Sequence, residues 1–150
     1  MKNWKVYLVA IILTLLVGAL SGFISMGGME TYATLEKPFL SPPAWLFPVV
    51  WTILFVLMGV GVARVYLKTE RVPRIYIIQL FFNFLWPIVF FNLEAYFFAF
   101  IWLIALLVLV IIMAIQFYNV DKLAGLLQIP YILWLIFAGY LNFMVYMLNM

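Results

Sequence analysis

The sequence predicts an all-α integral membrane protein, a bundle of five transmembrane helices whose N-terminus lies on the cytoplasmic side. Three observations carry that reading. First, 70% of the 150 residues are hydrophobic and only 9% are charged, whereas soluble domains carry about a quarter charged residues. Mean hydropathy is +1.25. Second, five runs are long enough to cross the bilayer, which takes about 20 apolar residues for a helix. Third, the few basic residues fall almost entirely on one side of those runs.

The first run, Val6–Met26, follows Lys2 and Lys5 in the manner of a signal peptide. It is long for a signal core, however, and Ser25-Met26-Gly27 is a poor cleavage site, so it reads as a retained helix. A loop over 27–44 follows, with Gly27-Gly28, Tyr32, Leu35, Pro38, Phe39, Leu40 and Pro42-Pro43. Its length and apolar content suggest a packed lid. The remaining spans are Trp45–Leu67, Ile75–Leu93, Ala95–Tyr118 and Leu123–Leu148, joined by short loops. Unbroken apolar runs such as Leu103–Ile115 do not alternate as barrel strands would. No repeat or composition shift divides the chain, so residues 1–150 read as one membrane domain.

With five spans, one side collects Lys2, Lys5, Arg64, Lys68, Glu70, Arg71, Arg74, Asp121 and Lys122. The other holds Glu30, Glu36, Lys37 and Glu94. The excess of basic residues places the first side in the cytoplasm.

Absences restrict the chemistry. There is no histidine and no cysteine, which removes disulfides, thiol catalysis, the usual zinc ligands, the commonest haem ligand and the usual neutral-pH base. No metal site is expected. The scattered charges make no nucleic-acid surface. No acidic or basic residue lies near the middle of a span, where an ion- or proton-coupled transporter keeps its coupling group.

Polar and aromatic residues in the spans fall on stripes. The third span sets Gln79, Asn83, Trp86 and Phe90 on one face, beside Pro87. The second offers Trp51, Phe55 and Gly59, and the fifth Tyr131, Trp134, Ala138 and Asn142. The first carries Gly18-x-x-x-Gly22 and Ser21-x-x-x-Ser25, small residues that permit close helix approach. The fourth has little of this kind between Phe98 and Gln116 and reads as the span most exposed to lipid or to a second copy. Trp4, Trp45 and Trp102 read as interface anchors. Asn83 and Asn142 read equally well as hydrogen-bond ties between helices and as site residues. Aromatic walls with a few amides suit a planar apolar ligand. Val62, Tyr66 and Lys68 match a cholesterol-recognition pattern, a weak motif.

The segment Lys37-Pro38-Phe39-Leu40-Ser41-Pro42-Pro43-Ala44-Trp45, continuing through Pro48-Val49-Val50-Trp51-Thr52, resembles the signature of the TspO/MBR family, the tryptophan-rich sensory proteins that include the mitochondrial translocator protein. Gln79-x-x-x-Asn83-x-x-Trp86-Pro87-x-x-Phe90-Phe91 and Pro130-Tyr131-x-x-Trp134-x-x-Phe137-Ala138-x-x-Leu141-Asn142 look like its third and fifth helices. The resemblance spans Gly18 to Asn142 and implies the five-helix fold. It also implies a ligand class: porphyrins, notably protoporphyrin IX, and isoquinoline carboxamide and benzodiazepine-type drugs, bound under the first loop. By the same resemblance the walls would be Tyr32, Pro42, Trp51, Phe55, Asn83, Trp86, Phe90, Trp134, Ala138 and Leu141. Two departures stand out. Trp102 occupies a fourth-helix position where many members carry an acid. Leu141 and Tyr146 are followed by no basic residue, so the C-terminal cholesterol motif of the animal proteins is incomplete.

The expected function is a sensory or regulatory protein that binds a tetrapyrrole. A catalytic reading adds light-dependent degradation of the bound porphyrin, with Trp51 and Trp134 as the reacting indoles. The alternative is a porphyrin or sterol transporter or channel, although no inverted repeat or nucleotide motif is visible. No cofactor is required; protoporphyrin IX is ligand or substrate. The expected surroundings are the lipid bilayer and a homodimer partner, which the small-residue faces permit. No transit peptide is visible, which favours a bacterial cytoplasmic membrane.

Overall fold

The computed structural model describes residues 2–150. Its elements are α1 (Asn3–Ala33), α2 (Leu46–Thr69), α3 (Arg74–Pro87) continuing as a π-helical segment (Ile88–Asn92), α4 (Tyr96–Val120), a short α5 (Lys122–Leu126) and α6 (Ile129–Leu148). Among the described residues, five helical stretches are long and apolar enough to cross a membrane, the fifth made of α5 and α6 together. The protein is a multi-pass integral membrane protein. Because lipid tails are as apolar as leucine, these helices associate through packing and interhelical hydrogen bonds rather than by escape from water.

The first helix is longer than expected. It runs unbroken through Gly27-Gly28 to Ala33, so Glu30, Thr31 and Tyr32 are helical and the lid shrinks to residues 34–45. Glycine costs a helix about 1 kcal/mol, but Gly28 is where α1 meets the π segment. A Cβ there would fall on the Phe91 backbone carbonyl. At 31 residues, α1 is about 46 Å long and outruns the roughly 30 Å hydrocarbon core. Its last turns thus carry Tyr32 to the lid.

Pro87 explains the π segment. Its nitrogen cannot donate to the turn before it, and beyond it Leu93 N donates to Ile88 O at 3.0 Å, five residues back. The wider turn leaves Val89 and Phe90 buried. The π segment ends at Asn92, and just beyond it Glu94 adopts a left-handed φ of 53°. The fifth span is broken at residues 127–128, where the backbone turns and Pro130 enters the first turn of α6.

The fourth span overturns its expectation. Ala99, Leu103, Leu106, Val110, Met113 and Phe117, spaced four and three apart, are 0–1% exposed. Leu103 through Phe117 pack with Leu54, Met58 and Val62 of α2 and with Tyr131, Leu135 and Ala138 of α6, while Ala99 packs with Val89, Phe90 and Val145. Because every face of α4 is apolar, hydropathy alone could not show which one is buried. The peripheral helix is α1, whose buried residues are Val6, Thr14, Ser21 and Ser25. It is fastened at small residues. Gly59 admits the Ile11 backbone, and Gly18 admits the Phe55 ring. Ser21 Oγ donates to Phe84 O at 2.7 Å. Gly22 faces open space.

Candidate ligand-binding site

The amides of α3 form a polar seam through the bundle. Asn83 Nδ2 donates to Tyr131 Oη at 2.6 Å, and Tyr131 Oη donates to Gln79 Oε1 at 2.8 Å. Gln79 Nε2 donates to Tyr76 O at 3.0 Å, and the Tyr76 hydroxyl meets that of Thr14. The seam joins α6, α3 and α1. Nearer the lid, Trp86 Nε1 donates to Asn142 Oδ1 at 3.1 Å, and Asn142 Nδ2 to Tyr96 O at 2.8 Å. Asn83 and Asn142 therefore both act as ties between helices.

Two aromatic groups flank this seam. In the first, Trp51 stacks on Phe55 with centroids 5.6 Å apart. It stands edge-on to Trp134 at 6.5 Å and to Tyr131 at 6.2 Å. Phe47 closes on Trp134 at 5.9 Å. In the second, Phe90 stacks on Trp86 at 5.2 Å and meets Tyr32 at 5.6 Å and Tyr96 at 4.9 Å. Trp86 packs against both buried cores and bridges them. Of the ten residues expected to line the site, Trp51, Phe55, Trp134 and Ala138 fall in the first group, Tyr32 and Phe90 in the second, with Trp86 between. Asn83 lies in the seam. Leu141 is buried on α6, and Pro42 is half-buried in the lid segment.

Trp134 also lines an apolar groove of about 390 Å³ between α2 and α6, with Val50, Ile53, Leu54, Pro130, Leu133 and Phe137. Its Nε1 is buried without a hydrogen-bond partner, as is Ser41 Oγ in the lid. Each is a polar atom that a bound ligand could satisfy.

The lid is fastened to α6. Asn149 accepts from Glu36 N at 3.1 Å and donates to Glu36 O at 2.9 Å, and Tyr140 Oη donates to Phe39 O at 2.7 Å. Lys37 Nζ donates to Ala33 O and Leu35 O and lies 5.0 Å from the centre of the Tyr32 ring. Sequence reasoning missed Asn149, Tyr140 and Ser41. Partners more than a hundred positions apart leave no periodic trace. Tyr131 was on its stripe, but nothing in the spacing marked it as the hub of the seam.

At the far end of the bundle, Asp121 caps α5 by accepting from Ala124 N at 2.9 Å. It pairs with Arg64 at 2.9 Å and Lys68 at 2.9 Å. The hydrogen bond from Arg64, then that from Lys68, holds its carboxyl well below the usual aspartate range. Two sequence readings change here. Lys68 is occupied and Val62 is buried in the core, so Val62, Tyr66 and Lys68 present no common sterol-facing surface. Trp102 is also no free anchor: it stacks on Phe82 at 4.3 Å and donates to Phe82 O at 2.8 Å. Trp4 and Trp45 remain exposed, at 59% and 66%.

Residues 10–148 match the TspO/MBR family. A tryptophan-rich protein TspO of Archaeoglobus fulgidus is 39% identical over 95% of this chain and 96% of its own. Protein CrtK of Rhodobacter capsulatus is 37% identical over 88% and 85%. The human translocator protein is 34% identical over 84% and 79%.

Proposed function

This chain belongs to the TspO/MBR family, and from that premise we propose that it is a membrane sensory protein that binds protoporphyrin IX beneath its lid. Relatives carry the names tryptophan-rich sensory protein and translocator protein, which supports a sensory or translocator role in the membrane. The observation that carries the finer reading is the pair Trp51 and Trp134, edge-on at 6.5 Å, with the Trp134 N–H buried and unpaired. Ring faces supply stacking area to a planar macrocycle, and the free N–H supplies an orienting donor. Isoquinoline carboxamide and benzodiazepine-type drugs, apolar and flat with carbonyl acceptors, suit the same walls. Because the chain has no histidine or cysteine to hold haem iron, the metal-free porphyrin is the better ligand.

Illumination of the bound porphyrin adds a second step. An excited porphyrin takes one electron from the adjacent indole and passes it to dioxygen as superoxide. The indole radical cation then recovers an electron from the porphyrin, and the porphyrin radical cation combines with superoxide, so that the net change is addition of dioxygen to the macrocycle. Trp51 and Trp134 are the donors in this scheme. Coupled transport is disfavoured by the interior: among the described residues Asp121 is the one buried charged side chain, and it sits at the α4–α5 turn. We assign the N-terminus to the cytoplasm by the charge bias and the protein to a bacterial cytoplasmic membrane.

The test is tryptophan quenching by protoporphyrin IX, in the dark and then under light. Saturable quenching supports binding; a linear inner-filter response sinks it. Trp51→Phe and Trp134→Phe should keep binding within about tenfold, the scale of one aromatic contact, while slowing photoconversion. If conversion is unchanged in both, the indole mechanism fails.

A further inference from the structure

A second pocket, which borders the second aromatic group at Tyr96, opens at the same end of the bundle. It is about 530 Å³ in volume and lies between the start of α4 and the end of α6, where Glu94, Tyr96, Phe97, Tyr146 and Asn149 line it. Phe97 and Tyr146 form a corner, with ring centroids 5.1 Å apart and planes inclined at 47°. Tyr96 is held in place against Phe90 at 4.9 Å. Glu94 is an exposed lining residue in a left-handed backbone conformation.

Charge identifies the occupant. Glu94 makes no ion pair among the described residues; both ion pairs belong to Asp121 at the opposite end. Glu36 and Glu30 at this end are likewise unpaired there, and the neighbouring cation, Lys37, is spent on backbone carbonyls. A carboxylate beside exposed ring faces attracts an ammonium group twice, by Coulomb attraction and through the ring quadrupole. The pocket is far larger than an ammonium ion and opens at the level where a spanning helix begins. That is the depth of phospholipid headgroups.

We propose that this pocket binds the headgroup of a phospholipid that ends in an ammonium group, as phosphatidylethanolamine does, with Glu94 as the counter-ion and the Phe97–Tyr146 corner as the ring wall. The proposal does not rest on the porphyrin reading, although the pocket shares Tyr96 with the second aromatic group. Asn149, which lines it, also holds the lid through Glu36, so the occupant touches a side chain that fastens the lid.

The test uses the full chain in neutral detergent, exposed to equimolar phosphatidylethanolamine and phosphatidylglycerol and read by native mass spectrometry. The expected result is retention of phosphatidylethanolamine over phosphatidylglycerol by about tenfold, the size of one good ammonium contact. Glu94→Gln should bring that ratio to within about twofold while leaving the melting temperature unchanged. Tyr146→Leu removes the ring wall and keeps the carboxylate, and it should lower the ratio as well. Equal retention of the two lipids by the unaltered chain would overturn the proposal. So would an undiminished preference in folded Glu94→Gln, or displacement of the lipid by millimolar free ethanolamine.

Discussion

Tyr131 is the residue on which the interior polar chemistry turns. Its hydroxyl accepts from Asn83 and donates to Gln79, so Tyr131→Phe keeps the ring and strands two buried amides. Membrane interiors make single interhelical hydrogen bonds worth less than the desolvation argument suggests, and two losses together should cost about 1–2 kcal/mol. Thermal unfolding in detergent measures it; an unchanged midpoint would mean that the amides find other partners. Asp121 gives a pH-dependent counterpart. Its carboxyl is held below the ordinary value, chiefly by Arg64 and then Lys68, so the folded state favours the ionised form. That contribution is complete above the unfolded value of about 4 and is lost as pH falls below it. The unaltered chain should therefore be more stable than Asp121→Asn at neutral pH, and the gap should close in acid. A gap that is constant from pH 7 to pH 3 would contradict the ion-pair account. Asparagine retains capping ability, which isolates the charge.

At the scale of elements, the glycines of α1 separate contact from composition. Gly28 lies against the Phe91 backbone, whereas Gly22 meets no atom within 4 Å. Gly28→Ala should destabilise by about 1–3 kcal/mol, the cost of forcing atoms into a packed contact. Gly22→Ala should be neutral or mildly stabilising, since alanine is the better helix former. Equal unfolding midpoints for the two variants would refute the close approach. The sequence pattern showed small residues on α1 without showing which of them touch a neighbour. For the same reason the double glycine at 27–28 read as the start of a loop, when it is helical and Gly28 is a helix-packing contact. The lid offers another element-level prediction. Asn149→Ala removes both hydrogen bonds to Glu36, and amide exchange over residues 35–37 should speed up about three- to tenfold, as expected for loss of roughly 1 kcal/mol. Exchange that matches the unaltered chain would show that Tyr140 alone holds the lid.

For the whole molecule, what was legible follows from what the bilayer demands. Five spans and the Gln79–Asn83–Trp86–Phe90 stripe could be read because length and polarity are constrained by lipid. The buried face of α4 was not legible. In lipid an aliphatic side chain facing the core and one facing the tails look alike, so Leu103 and Ile104 carry similar hydropathy and opposite fates. The aromatic residues expected in one site were recovered as two packed groups joined through Trp86, a division set by side-chain direction and not by spacing. The central position of α4 and the peripheral one of α1 also give the molecule a mechanical polarity. Pulled from the N-terminus by an atomic-force tip, α1 breaks only its own contacts with α2 and with α3 and its π segment, so the remaining helices should stay packed. Pulled from the C-terminus, α6 must surrender Tyr131, Leu135 and Ala138 from the core shared with α2 and α4, so the rest of that core should loosen with it. The two force traces should not be mirror images.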